Sequence, residues 1–301
     1  MLTEAHRRLD AGERLAAEEI CRSLLREAPN HGAALHLLGI IAHQAGNAAA
    51  AIDLLRRAIA AAPTQAMYLA NLGEMCRLSG RLDEAVSAGR RATELQPARA
   101  QAWNNLGIAY FDRGELEEAV SCYREAARLA PDLAEAHSNL GNALRAQGKL
   151  DQAVEAYQKA LQLKPDSGWS HYNLGTTLRE QQRYADSEAI SRQGLALRPD
   201  DIGLLSNLAH ALVPQGRGDE AASVLARAVA LDPENAKTLG YLASTLLGLG
   251  RIEEAFLAVE KAEALTPTDF EIARLALVIS HRRDAARREA AAAAAESAGG
   301  S

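Results

Sequence analysis

The chain has 301 residues, a formal net charge of −6 and only 4% aromatic residues. Such a composition argues against a β-sandwich or a β-barrel, which depend on aromatic and β-branched residues, and its many alanines and leucines favour helices. Charges of both signs are interspersed along the sequence, and no basic stripe indicates a nucleic-acid partner.

Cysteine usage and the N-terminus narrow the class further. Cys21, Cys76 and Cys122 lie far apart, and their spacing matches neither a disulfide framework nor a zinc site. The first residues lack the apolar segment of a signal peptide, and no run of about 18 apolar residues occurs that is typical of a membrane span. We therefore expect a reduced cytoplasmic protein with no membrane partner, no metal and no other cofactor.

Proline marks a strict internal repeat. A period of 34 residues is typical of helix–turn–helix units that stack into a solenoid. Only Pro214 lies outside a series with this constant interval. The series consists of Pro29, Pro63, Pro97, Pro131, Pro165, Pro199, Pro233 and Pro267.

Each repeat is predicted to contain two helices. A recurring leucine, such as Leu106, supplies apolar contacts of the first helix, and the glycine or alanine that follows it, such as Gly107, allows the second helix to approach closely. Seven residues later a glycine ends the first helix in the left-handed conformation, with Gln182 as the exception. Acidic pairs such as Asp83 and Glu84 then open the second helix, where they face the positive end of its dipole.

The repeats follow one another in chain order; the first is shortened and two later ones depart from the pattern. The first repeat has a shortened opening helix because Met1 falls at its fourth position. The sixth repeat has Ser191 where an aromatic residue is expected, and the seventh carries Pro214 near the end of its first helix. We expect residues 182–218 to be the least tightly packed part of the array, either through sequence drift or because they form a hinge.

The fourth repeat shows the pattern most completely. It resembles the tetratricopeptide repeat at every key position, in Trp103, Asn104, Asn105, Leu106, Gly107, Ile108, Ala109, Tyr110, Gly114, Ala119, Tyr123, Ala126 and Pro131. The resemblance covers about residues 1–267 and implies an all-α fold, a right-handed α-solenoid of about eight 34-residue repeats. Residues 268–289 are expected to form a C-terminal solvating helix, and the alanine-rich residues 290–301 a flexible tail.

The resemblance also implies which residues line a concave groove formed by the first helices. At the sixth repeat position it selects Asn71, Asn105, Asn139, Asn173 and Asn207. Around this asparagine ladder it selects Asn104, Asn142, Arg145, Trp169, Tyr172 and Arg179. A carboxamide can pair with both polar groups of a peptide unit. The same asparagines can instead brace neighbouring helices, and the sequence leaves both roles open.

One known ligand of the family is not expected. Some tetratricopeptide domains clamp the C-terminal carboxylate of heat-shock chaperones with a lysine four residues before an asparagine. The corresponding pair in this chain is Ser138 and Asn142, which lacks the cation.

Nothing in the sequence indicates catalysis. It contains no phosphate-binding loop, nucleophile elbow or HExxH zinc helix, so we expect neither catalytic residues nor enzymatic activity. The favoured function is a protein–protein interaction scaffold that binds an extended peptide or protein segment of unknown identity.

The alternative function starts from the repeats around Asn139 and Asn173. They resemble bacterial arrays that occur alone or ahead of the catalytic domain of O-linked N-acetylglucosamine transferase-like enzymes. In that case the array is the substrate-recognition portion of an enzyme whose catalytic domain is absent from this chain.

Overall fold

The structure of the chain, a computed structural model, describes residues 1–299. Within that range the secondary structure is entirely helical, as expected, with seventeen α-helices and one short 3-10 helix, η1. In chain order these are α1 Leu2–Asp10, α2 Arg14–Glu27, α3 Gly32–Gln44, α4 Ala48–Ala61, α5 Ala66–Leu78, α6 Leu82–Leu95, α7 Ala100–Asp112, α8 Leu116–Leu129, α9 Ala134–Ala146, α10 Leu150–Leu163, α11 Gly168–Glu180, α12 Tyr184–Leu197, α13 Ile202–Leu212, η1 Val213–Gln215, α14 Gly218–Leu231, α15 Ala236–Gly248, α16 Ile252–Leu265 and α17 Phe270–Gly299.

The helices form two compact units, Met1–Leu163 and Lys164–Ser301. The first unit consists of the helix pairs α1–α10, and the second of the pairs α11–α16 followed by α17. Within each unit, every helix packs on its neighbours in sequence, and the first helices of some successive repeats also touch, as α5 touches α7 and α11 touches α13. The expected α-solenoid of stacked helix pairs is therefore confirmed within each unit.

The turn inside a repeat depends on a residue in the left-handed conformation. Gly114 has a φ of 84° and ends α7. Its N–H donates to the Phe111 carbonyl at 3.0 Å, and the Glu115 N–H donates to the Tyr110 carbonyl at 2.9 Å, as in a Schellman motif. The glycine expectation is confirmed, and Gln182, its exception, keeps the same backbone conformation with a φ of 60°.

Close approach of the two helices of a repeat explains the glycine next to the recurring leucine. A Cβ atom added at Gly141 would lie 2.6 Å from Cε1 of Tyr157, and one added at Gly107 would lie 2.6 Å from Cε1 of Tyr123. Both tyrosine rings are buried. The ring of the second helix thus occupies the space that a side chain on the first helix would need, and such contacts cannot be relieved without moving a helix.

The sixth repeat is packed differently, in agreement with its departure from the pattern. The residue opposite Gly175 is Ser191, and a Cβ added at Gly175 would lie 3.2 Å from the Ser191 Oγ. That hydroxyl is buried, and none of the described residues forms a hydrogen bond with it. In the seventh repeat α13 has only 11 residues, because Pro214 converts its end into η1.

The C-terminal helix covers the last repeat. Ile272, Ala276 and Ile279 of α17 are buried in a cluster with residues of α15 and α16. The helix continues to Gly299, across the expected boundary between a solvating helix and a tail. Flexibility of residues 290–301 stays a prediction, and residues 300 and 301 lie outside the described part of the chain.

The helix contact yields a prediction with an internal control. We expect Gly141→Ala to lower the free energy of unfolding by about 1–3 kcal/mol, because the added methyl group overpacks against Tyr157. Gly175→Ala should be close to neutral, because Ser191 leaves room and alanine has a helix propensity about 1 kcal/mol better than glycine. Urea denaturation followed by circular dichroism measures both variants. Equal losses in the two would contradict this account of the glycine position.

A second prediction concerns the strained turn of the sixth repeat. Gln182→Gly should raise the free energy of unfolding by about 1 kcal/mol, because a left-handed conformation costs an L-residue roughly 1–2 kcal/mol. The reverse change in the preceding repeat, Gly148→Gln, starts from a φ of 74° and should destabilise by a similar amount. Denaturation midpoints of the two variants, compared with the wild type where the slopes of the transitions are equal, test this prediction. A Gln182→Gly variant less stable than the wild type would refute it.

Candidate functional site

The asparagine ladder lies on five consecutive first helices but divides by exposure. Asn71 on α5, Asn105 on α7 and Asn139 on α9 are half-buried, and all three belong to the first unit. Asn173 on α11 and Asn207 on α13, in the second unit, are only 2% and 3% exposed. The first-unit side chains are therefore accessible to a ligand, whereas the second-unit ones are enclosed by their neighbours.

Two first-unit asparagines bond to the preceding first helix. Asn71 Nδ2 lies 2.7 Å from His36 Nε2. Asn139 Nδ2 donates to Asn104 Oδ1 at 3.0 Å, and the fully buried Asn104 donates through its own Nδ2 to Glu135 Oε1 at 3.0 Å. Each ladder bond joins the sixth position of one repeat to the fifth position of the repeat before it. These amides brace successive repeats, and Asn104 is too deeply buried to touch a surface ligand itself.

In the second unit Asn207 braces through the backbone. Its Nδ2 donates to the Tyr172 carbonyl at 2.8 Å and lies 3.0 Å from the Thr176 Oγ1. The Thr176 hydroxyl also lies 3.2 Å from Asn207 Oδ1. A buried amide with partners on both of its polar atoms stabilises the α11–α13 contact, and its removal would leave the Tyr172 carbonyl without this donor.

Asn105 differs from the rest of the ladder. Its Oδ1 accepts a hydrogen bond from Gln101 Nε2 at 2.9 Å within the same helix. Among the described residues nothing accepts a hydrogen bond from its Nδ2. The amide is half-buried on the first helix of the fourth repeat, so both of its N–H groups are available to a ligand.

The remaining predicted residues lie on α9 and α11. Asn142 Oδ1 accepts from the Tyr157 hydroxyl at 2.7 Å, and Arg145 is half-buried one turn further along α9. Trp169 is 60% exposed, and its ring lies 6.1 Å from that of Tyr172 at an interplanar angle of 28°. A large exposed aromatic surface beside a half-buried tyrosine is suited to an apolar ligand group.

Arg179 lies in the second unit at a cleft of about 640 Å³. Side chains of α13 and α15 contribute much of its lining, among them His210, Tyr241, Ser244 and Thr245. Sequence analysis did not associate these residues with Arg179. The signal for the cleft was Pro214, which also lines it and shortens the helix that would otherwise continue along this side.

The cysteine side chains and the distribution of possible metal ligands give no indication of a catalytic or metal site among the described residues. Cys21, Cys76 and Cys122 are buried, and burial raises the pKa of Cys21 to about 11 and that of Cys122 to about 12, so these thiols are poor nucleophiles. Among the described residues no group of three or more histidine, cysteine or acidic side chains could hold a metal ion. Likewise, none of the described helices is long and apolar enough to cross a membrane.

Sequence comparison identifies the family. Models of the family described as tetratricopeptide repeat match residues 2–66, 98–166, 132–200 and 212–278, which is most of the chain. The chain therefore belongs to the tetratricopeptide repeat family. No curated protein matches it.

Solved structures share the fold. A tetratricopeptide repeat protein from Parabacteroides merdae is 20% identical with a TM-score of 0.63, over 82% of this chain and 97% of that one. A chain of the APC/C hetero-tetramer Cut9–Hcn1 is 18% identical with a TM-score of 0.61, over 88% of this chain; the match spans about half, 52%, of that chain. YrrB, described as a tetratricopeptide protein with an unusual peptide-binding site, is 24% identical with a TM-score of 0.52, over 63% of this chain and 98% of YrrB.

The ladder contact of His36 yields a pH prediction. His36 is 5% exposed and stacks on Tyr68, and burial lowers its pKa to about 4. In the unfolded chain the histidine pKa is near 6.5, so between about pH 6.5 and 4 the unfolded state binds the proton more strongly. The stability contribution is complete above that window and decreases as the pH falls through it.

We therefore expect a shift from pH 7.5 to pH 5 to lower the free energy of unfolding by about 1–2 kcal/mol through His36. His36→Gln should remove that part of the pH dependence, and His137→Gln, on the solvent side of α9, serves as the control. Urea denaturation at a series of pH values measures the slopes. Identical slopes for the wild type and His36→Gln would contradict the assignment.

Proposed function

We propose that the chain acts by binding, as an interaction scaffold whose first-helix surface holds an extended segment of another protein. The observation that carries this proposal is Asn105, a half-buried amide on an inner helix whose N–H groups have no partner among the described residues. These N–H groups reach solvent, and a peptide carbonyl could accept from them in place of water.

The spacing of the first-unit ladder fits an extended polypeptide. Packed helices lie about 8–10 Å apart, and an extended chain advances about 3.3 Å per residue. Asn71, Asn105 and Asn139 would therefore meet roughly every third residue of a ligand. Contacts of amides go mainly to the ligand backbone, so this surface would tolerate many side-chain sequences.

The transferase alternative stays a prediction. It began from the asparagine ladder, and bonds from Asn71, Asn139 and Asn207 to preceding helices account for much of that ladder through packing. The scaffold proposal needs only the surface amides and requires no further domain.

The test uses peptides selected from a phage-displayed library of random dodecapeptides on the full chain, then titrated as labelled synthetic peptides by fluorescence anisotropy. Asn105→Ala should weaken their binding about 2–10-fold, because one hydrogen bond contributes about 0.5–1.5 kcal/mol. The same variant should melt like the wild type, because its Nδ2 braces no other helix.

Asn207→Ala is the matched control for the bracing role. It should lower stability by about 1–3 kcal/mol, because it leaves buried groups unsatisfied. Circular dichroism melts and anisotropy titrations are measured on both variants. If no peptide is selected, or if the selected peptides bind Asn105→Ala as tightly as the wild type, the first-helix surface is not the binding site proposed here.

A further inference from the structure

The cleft at Arg179 has a specific origin in the seventh repeat. Pro214 ends α13 at Leu212, and Gly216 then turns the chain with a φ of 74°. α13 and α15 contact each other only sparsely, whereas α11 and α13 pack together. The open space between them is about 640 Å³, and it belongs wholly to the second unit.

The chemistry of the cleft is apolar with one cation. Its lining includes Val213, Leu249 and the Tyr241 ring, and Arg179 is its charged residue, with no carboxylate among the lining side chains. The Arg179 Nε is buried and has no hydrogen-bond partner. Among the described residues the Arg179 guanidinium has no ion-pair partner either.

An equivalent arginine elsewhere in the array shows what is missing. Arg77 occupies the same repeat position as Arg179, three repeats earlier. It donates through Nε and Nη2 to Glu74, at 2.9 Å each, and through Nη1 to Asp112 Oδ2 at 2.7 Å. At this position the repeat framework therefore holds a guanidinium between two carboxylates of its own.

Both carboxylates are absent around Arg179. The position of Glu74 is taken by Thr176, whose hydroxyl is engaged with Asn207, and the position of Asp112 is taken by Pro214. The guanidinium thus faces an open apolar cleft in the geometry that elsewhere accepts an internal carboxylate. A carboxylate from outside would restore the missing ion pair, in a site where apolar walls reduce screening.

The neighbouring polar groups are compatible with such a ligand. The His210 ring meets the Tyr241 ring edge to face, with ring centroids 4.2 Å apart. Burial, and to a lesser degree the charges of Arg179 and Lys237, lower the pKa of His210 to about 4. The imidazole is therefore neutral near pH 7. Lys237 is exposed at the outer edge, with Nζ 5.9 Å from the Tyr241 ring centroid. It adds a second positive charge on the approach to the cleft.

The carboxylates of the adjoining surface are already engaged. Asp269 and Glu271 line the adjoining surface beside Lys237. Asp269 Oδ1 accepts from the backbone N–H groups of Glu271 and Ile272 at the start of α17, and Glu271 pairs with Arg274 at 2.7 Å. They therefore do not substitute for a partner of Arg179.

We propose that this cleft binds an acidic side chain of a polypeptide segment, an aspartate or glutamate that pairs with Arg179 while an adjacent apolar side chain fills the space beside Val213 and Leu249. The inference rests on the proposed function and adds a side-chain preference to it. The ladder contacts a ligand backbone, whereas the cleft selects a carboxylate next to an apolar group.

The test compares dodecapeptides selected from the displayed library on the wild-type chain and on Arg179→Gln. Wild-type selections should be enriched in acidic residues next to apolar ones, and the enrichment should disappear with Arg179→Gln. A selected peptide should bind Arg179→Gln at least tenfold more weakly, and its own Glu→Gln form should bind the wild type at least tenfold more weakly. Combining Arg179→Gln with the Glu→Gln peptide should reduce affinity little more than either change alone.

A second variant supplies the missing carboxylate from inside. Pro214→Asp introduces an aspartate at the position equivalent to Asp112, which pairs with Arg77. It should weaken binding of the acidic peptide to the same degree as Arg179→Gln. Pro214→Asn has nearly the same shape without the charge and should retain binding. Arg57→Gln, an exposed position on α4 of the first unit, controls for the loss of one positive charge.

The outcomes separate this inference from the proposed function. Selected peptides without acidic enrichment, or with unchanged affinity for Arg179→Gln and Pro214→Asp but reduced affinity for Asn105→Ala, would overturn the cleft and leave the scaffold. Peptides that lose affinity for Arg179→Gln but not for Asn105→Ala would support the cleft and overturn the ladder. An absence of selected peptides, or peptides insensitive to all of these variants, would overturn both.

Discussion

The contact between the two helices of each repeat is the constraint on which the rest of the structure depends. A single pair of helices cannot bury its apolar faces alone, and stacking succeeds only if every pair has nearly the same thickness. In the fourth and fifth repeats that thickness follows from a glycine without Cβ against a tyrosine ring, as Gly107 lies against Tyr123 and Gly141 against Tyr157. Where the ring is lost, at Ser191, the pair remains but leaves a buried hydroxyl unsatisfied, so the contact tolerates a smaller partner at some cost in packing.

Because this constraint is local and recurs, the fold could be predicted from the sequence. Each recurring position of the repeat has a structural requirement that a single residue meets by its own conformation or size, such as the left-handed turn at Gly114. Even the exception at Gln182 was visible as a position where the backbone requirement persists without its preferred residue. The extent of α17 was less predictable, since alanine continues a helix and terminates none.

The roles of the ladder asparagines could not be predicted in the same way. The same residue type at the same repeat position bonds to a histidine side chain at Asn71, to an asparagine at Asn139 and to a backbone carbonyl at Asn207. At Asn71 and Asn139 the bracing partner is the side chain of the fifth residue of the preceding repeat. For Asn105 that residue is Ala70, which offers no side-chain partner, and the pairing becomes apparent only when two repeats are packed together.

The same dependence on a neighbouring repeat distinguishes Arg179 from Arg77. Both are arginines at one position of one pattern, yet the first lacks the two carboxylates that fix the second. A partly buried guanidinium without an anionic partner is unfavourable, and a ligand that brings negative charge relieves the penalty. Discrimination then comes from the site itself, because an amide or a basic side chain in the cleft leaves the charge unpaired. In the proposed function, a surface of amides would bind a backbone and accept many sequences, whereas one unpaired cation in an apolar cleft would favour a narrow chemical class. The departure of the seventh repeat from its pattern would then add selectivity.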